Sequence, residues 1–144
     1  MCLAASGCGG GSGITAKVRP VRTPTRAQCL GIAQKYAAGS ETRAENLCKE
    51  ANERSNWFHA EIAYRGGKAS WITCAVEGFD TQGRRLWHNP WGLPLDPRSS
   101  FPGVSAAYVE PGTSLTVTWF LLGHQAGPVA RYQPTCKTVP YPPV

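Results

Sequence analysis

The chain predicts an α+β protein in which a short helical hairpin precedes an antiparallel β-sandwich. Three observations carry that expectation. Between residues 25 and 51, apolar residues recur at the i, i+3, i+4, i+7 spacing of one helix face. From Asn56 onward they alternate with polar residues at a period of two, as on a strand with one buried side. The composition is rich in turn formers, with Gly 16 and Pro 12, yet 42% of residues are hydrophobic and only 17% charged. Five Trp, five Tyr and four Phe supply bulk for a small core.

Residues 14–23 (ITAKVRPVRT) are polar, basic and broken by Pro20, and read as a linker. Pro24 then precedes Thr25, and Gln28 three residues on completes a capping box. Cys29, Ile32, Ala33 and Tyr36 share one face of the helix that follows, and Gly39-Ser40 ends it. Thr42 with Glu45 reads as a second capping box, leading to a face of Ala44, Leu47, Cys48 and Ala51. Each helix spans about three turns, a marginal length for a helix alone in water. Their apolar faces must therefore meet a partner. An antiparallel pairing would let Cys29 and Cys48 cross-link them; the alternative is a pair of buried free thiols.

In the β region, Phe58, Ala60, Ile62 and Tyr64 alternate with Trp57, His59, Glu61 and Ala63. Arg65-Gly66-Gly67-Lys68 reads as a two-residue hairpin into a strand from Ala69 to Phe79, with Ile72, Cys74 and Val76 on one face. Asp80-Thr81-Gln82-Gly83 turns the chain into a strand from Arg84 to Trp87. Residues 89–103 hold four Pro and two Gly and predict a long loop or irregular edge. A short strand from Val104 to Val109 turns at Glu110-Pro111-Gly112 into a strand from Thr113 to Leu122, with Leu115, Val117, Trp119 and Leu121 on one side. A turn over Gly123–Pro128 and a last strand from Val129 to Tyr132 complete the series. Short strands at this spacing fit an immunoglobulin-like sandwich. Cys74 and Cys136 fall in a middle and a terminal strand, placed for a bond between sheets.

The first thirteen residues are MCLAASGCGGGSG. Ala5-Ser6-Gly7 running into Cys8, followed by a Gly/Ser stretch, resembles the lipobox of bacterial lipoproteins. That resemblance implies a lipid on Cys8 and a flexible tether from bilayer to domain. Seven residues precede Cys8 and none is charged, so the apolar part of a signal peptide is expected upstream of Met1. A chain that truly starts at Met1 would instead carry a small flexible tail inside the cell. Of six cysteines, Cys8 goes to lipid and Cys2 to the signal remnant. Cys29, Cys48, Cys74 and Cys136 remain, an even set suited to disulfides in an oxidising compartment, with three possible connectivities. The β region, with its Asp80…Gly83 turn and Pro111-Gly112 turn before a strand ending in aromatics, resembles the small Ig-like domains of secreted actinobacterial lipoproteins, including FxLYD-type modules. This implies a fold and a cell-surface setting without assigning a functional residue. Residues 1–23 are thus read as signal remnant, lipobox and tether, 24–55 as the helical hairpin, and 56–144 as the β domain.

The net charge of +6 is spread along the chain, with no run of four basic residues. Nucleic-acid binding would need a clustered basic stripe with interleaved aromatics; a surface tolerant of anionic lipid headgroups is the better reading. No Cys-x2-Cys or His-x3-5-His spacing suggests a metal. His59, His88 and His124 are not brought together by any motif, and Ser99 or Ser100 with His88 and Asp96 lacks a nucleophile elbow. Gly9-Gly10-Gly11-Ser12-Gly13 lacks the lysine of a phosphate loop. No catalytic residue, metal or cofactor is assigned. The least ordinary segment is 84–103, which combines Arg84, Arg85 and Arg98 with Trp87, Trp91 and Phe101 in a Pro-stiffened loop. These residue types are enriched at binding hot spots, although Trp87 and Trp91 would serve equally to cap one end of the sandwich. The expectation is a non-catalytic binding module, anchored on the outer face of the cell membrane, with another protein as partner and this loop as contact surface. The alternative is a secreted inhibitor that offers the same rigid loop to a hydrolase.

Overall fold

Alternation along the strands has its expected physical result: Phe58, Ala60, Ile62 and Tyr64 are buried together with Ile72, Cys74 and Val76. In the computed structural model, residues 13–36, 41–50, 56–88, 93–95, 106–121 and 129–139 are described. They form β1 (Ile14–Pro20), α1 (Arg26–Tyr36), α2 (Glu41–Glu50), β2 (Asn56–Tyr64), β3 (Ser70–Phe79), β4 (Arg85–His88), β5 (Ala107–Val109), β6 (Thr113–Leu121) and β7 (Arg131–Val139). The protein is α+β, with two antiparallel sheets. One has the order β1-β2-β6; in the other, β3 pairs with β7 along one edge and with β4 and β5 along the other. Both sheets contribute to one core, which holds Ile14, Phe58, Ile62, Val117 and Leu121 from the first and Ile72, Val76, Val109 and Tyr132 from the second.

Residues 14–20, expected as linker, are instead strand β1. It pairs with β2 from Ile14↔Tyr64 to Pro20↔Phe58, and the Val21 N–H extends the ladder to the Trp57 carbonyl at 3.0 Å. Its own short alternation buries Ile14 and Ala16 and exposes Thr15 and Lys17. Pro20 is tolerated because β1 is an edge strand.

The Gly66-Gly67 segment also departs from expectation. Both edges of β2 are occupied, by β1 and β6, so β3 cannot pair with it. The segment is a crossing between sheets rather than a hairpin. Tyr64 folds back over it, and its hydroxyl donates to the Lys68 carbonyl and lies 3.1 Å from Ser70 Oγ. A Cβ on Gly66 would sit 2.2 Å from the Tyr64 hydroxyl oxygen, whereas one on Gly67 would meet nothing within 4 Å. Gly66→Ala should therefore destabilise by about 1–3 kcal/mol, and Gly67→Ala by no more than about 0.5 kcal/mol. Urea unfolding of the two variants checks this, and equal midpoints would contradict the packing.

The last strand runs through Pro134 to Val139 rather than stopping at Tyr132. Cys74 and Cys136 lie opposite each other with Cα atoms 4.1 Å apart, the close approach of a non-hydrogen-bonded pair. Pro134, opposite Val76, has the same parity, so its missing N–H falls on the outer edge of β7 and costs no ladder bond. The same register shows that the Cys74–Cys136 disulfide joins neighbouring strands of one sheet, not the two sheets. Burial also pushes the Tyr132 phenol up from 10.0 to about 12. The native state therefore favours the neutral phenol, and its stability is intact below pH 10 and declines as pH rises from 10 toward 12. Tyr132→Phe keeps the ring against Phe58 (centroids 5.4 Å apart) and should flatten this alkaline decline, read from Tm across pH 9–12.

The helical hairpin forms as its faces require. Thr25 and Gln28 exchange capping-box bonds of 3.0 and 3.2 Å. The second expected box does not form, because α2 already begins at Glu41 and Thr42 lies inside it. Ala33 and Ala44 are buried in one cluster, and Cys29, one turn earlier in α1, forms a disulfide with Cys48, one turn later in α2, which makes the helices antiparallel. The hairpin docks through Cys29, Ile32 and Leu47 onto Trp57 and Phe120. These two aromatics sit opposite each other on β2 and β6 (centroids 4.9 Å apart) and belong to the face of the first sheet turned away from the core. Among the described residues no helix is long and apolar enough to cross a membrane.

Candidate ligand cleft and the expected contact loop

Of the residues assigned to the contact loop, the structure describes the side chains of Arg84 and Arg85, and both guanidiniums are engaged within the chain. Asp80 opens the β3–β4 turn, with Gly83 at φ 80° closing it. One carboxylate oxygen of Asp80 accepts from the Gln82 and Arg84 backbone N–H groups at 2.9 and 2.8 Å, and the other from Arg84 Nε at 2.8 Å. The Arg84 backbone N–H, helped by its guanidinium and the Gln82 N–H, holds the Asp80 carboxyl below its usual range. Arg85 reaches Glu77 at 3.2 Å. Trp87 contributes its backbone to β4, opposite Gly78. Trp91, Arg98 and Phe101 lie outside the described residues.

The part of the loop that is described does core work. Leu93 and Leu95 are buried in the main cluster, and the Leu93 N–H donates to the Cys74 carbonyl at 2.7 Å. On this edge of β3, β4 covers Glu77–Phe79 and β5 covers Ser70–Ile72. Leu93 occupies the gap between them. Two leucines are thus seen covering the core from this segment; the expected capping role of Trp87 and Trp91 falls on side chains outside the described ones.

A second site was not anticipated. The outer face of the first sheet is laid out in rows across β1, β2 and β6: Lys17–Glu61–Thr116, then Arg19–His59–Thr118. His59 Nδ1 shares a 3.1 Å hydrogen bond with Thr118 Oγ1, and its Nε2 lies 3.9 Å from Glu61. Residues 21–25 and α1 overhang the second row and enclose an open cleft of about 900 Å3. Among the described residues its charged side chains are Arg19, Arg22 and Lys35, and no Asp or Glu lines it. Val21, Pro24 and Ile32 give it an apolar part, and Thr23, Gln28 and Thr118 supply polar groups. Glu61 belongs instead to the adjoining shallower depression beside Lys17 and Arg65.

Reading residues 14–23 as linker concealed this cleft. The available signal was Lys17-x-Arg19 at period two beside buried Ile14 and Ala16, which marks a strand with a basic outer face. Only tertiary structure brings Lys35, sixteen residues further on, to the same opening. Among the described residues no group of three or more His, Cys, Asp or Glu could hold a metal ion. No protein-family model matches the chain, and no curated protein or solved structure is significantly similar to it.

Proposed function

We propose that the chain is a non-catalytic binding module held on the outer face of the cell membrane by a lipid on Cys8. The observation that carries this reading is the state of the cysteines. All four within the described residues are disulfide-bonded, one bond closing the helical hairpin and the other joining β3 to β7. Such bonds persist in oxidising compartments. In the sequence a short Gly/Ser run separates Cys8 from β1 at Ile14, so a lipid there would hold the folded unit close to the bilayer. Kinship with Ig-like domains of exported lipoproteins is part of the proposal. It is supported by the order β1-β2-β6 facing β4-β3-β7, with the β2–β3 and β6–β7 connections crossing between sheets. The cleft over the first sheet, which gathers Arg19, Arg22, Lys35 and several hydroxyls, is where such a module would bind.

The test is lipidation in a bacterial host expressing the gene with its upstream coding region. Growth with an alkyne-tagged palmitate should label the protein and place it in the membrane fraction, and Cys8→Ala should abolish both. A protein that stays unlabelled, or that remains membrane-bound after Cys8→Ala, would overturn the anchor. Thiol counting on the exported protein should find Cys29, Cys48, Cys74 and Cys136 blocked.

A further inference from the structure

We propose that the cleft between α1 and the outer face of the first sheet binds a phosphate ester, with the phosphate on the Arg19–Arg22–Lys35 side and the organic part against Val21, Pro24 and Ile32. This rests on the binding-module reading and names its ligand class.

Charge is the first argument. Three basic side chains line one opening that no carboxylate among the described residues lines. With no counter-charge among the described lining residues they repel one another across the opening, and an anion placed there relieves the repulsion. Arg19 has no acid opposite it: its cross-strand neighbour is His59, already tied to Thr118. Lys17, one row away, faces Glu61 instead. Among the described residues, the basic lining therefore belongs to the cleft and is not a property of the whole sheet face.

Ligand chemistry follows from number and size. A phosphate monoester carries a charge of about −1.5 to −2 and three strong acceptor oxygens, which suits three cations better than a single carboxylate would. Guanidinium forks match phosphate geometry. A volume of about 900 Å3 is in the range of small-molecule sites, about 300–1,000 Å3. It leaves room for an organic body on the apolar side.

Gly31 supplies an independent observation. It lies in the middle of α1, where glycine is a poor helix former, and it lines the cleft. A Cβ added there would meet nothing within 4 Å. Packing within the protein does not demand glycine at this position, and the missing side chain keeps the cleft wall open. This also provides a decisive variant. Gly31→Glu adds bulk and a negative charge to the cleft, improves helix propensity, and sets a carboxylate one turn before Lys35. It should raise stability while abolishing binding.

The experiment uses the full-length protein in detergent. Its Tm is followed with glycerol 3-phosphate, with glycerol, and with sodium chloride at matched ionic strength. Vesicle co-sedimentation compares phosphatidylcholine alone with phosphatidylcholine containing phosphatidic acid. Glycerol 3-phosphate should raise Tm where glycerol and sodium chloride do not; Arg19→Ala and Arg22→Ala should each weaken binding about tenfold or more; and Gly31→Glu should remove the response with no fall in its own Tm. A response to phosphatidic acid vesicles alone, lost in Gly31→Glu, assigns the phosphate to a lipid headgroup; a response to soluble ester assigns it to a free metabolite. No response to either probe, a response matched by sodium chloride, or one retained in Gly31→Glu overturns the proposal. Labelling at Cys8 is read separately, so failure here is distinguishable from failure of the anchor.

Discussion

Replacing Cys74 and Cys136 together by alanine is expected to lower the unfolding free energy by about 4 kcal/mol. The bond closes a loop across a sequence separation of 62 residues, and on the chain-entropy model a loop of that length contributes roughly this amount. A small domain has a net stability of only about 5–15 kcal/mol, so the loss removes a large share of the whole. Cys74 is also 2% exposed, so truncation leaves a small void in the core. The Cys29–Cys48 bond spans 19 residues, and its removal should cost less, about 3 kcal/mol. Urea denaturation of both double variants, compared with the oxidised parent, gives the two numbers. A loss below about 1 kcal/mol for Cys74→Ala/Cys136→Ala would mean that β3 and β7 are held in register by their ladder alone.

The second large effect concerns the joint between helices and sheet. Trp57 is 3% exposed, packs its ring at a tilt against Phe120 and lies in the cluster that contains Cys29, Leu47 and Cys48. Trp57→Ala should cost about 3–5 kcal/mol, as for other buried large aromatics. Because α1 and α2 are too short to persist alone, most of the damage should appear as loss of the hairpin rather than of the sheets. Hydrogen exchange would then show α1 amides losing protection while β3 and β7 amides keep theirs. Unchanged protection in α1 would show that the hairpin is held by something other than this aromatic seat. Trp57→Phe is the companion variant. The Trp57 indole N–H is buried with no acceptor among the described residues, so removing it while keeping a ring should be far milder, under about 1.5 kcal/mol.

The elements that were legible in the sequence are those specified by neighbours along the chain. The capping box at Thr25 and Gln28, the alternation of Phe58 through Tyr64, and the turn at Asp80 each depend on residues a few positions apart, and each formed as expected. So did the pairing of Cys29 with Cys48, because two helix faces with cysteines on their apolar stripes have one antiparallel way to meet. The errors arose where a segment's fate depends on a distant partner. Residues 14–20 alternate too briefly to declare themselves, and they become a strand because the free edge of β2 accepts them. Gly66-Gly67 carries the local signature of a hairpin, yet β1 and β6 already occupy both edges of β2, so the chain leaves for the other sheet. Pro134 reads as a strand end, but at a free edge its missing N–H costs nothing.

The candidate site divides in the same way. Arg84 and Arg85 stood out because they crowd a short aromatic segment, and in the fold they bond to Asp80 and Glu77, carboxylates of their own hairpin. The cleft was not visible because its cations come from a strand, the segment after it and a helix. By itself, the sequence determined the local elements and the place of a cysteine on each helix face, since these follow from spacing and capping. Tertiary structure alone decided which sheet each strand joined, that Cys74 and Cys136 bridge neighbours within one sheet, and that Arg19, Arg22 and Lys35 face a common opening. The physical reason is that edge availability and docking geometry belong to the assembled sheets, and no short window of residues contains them.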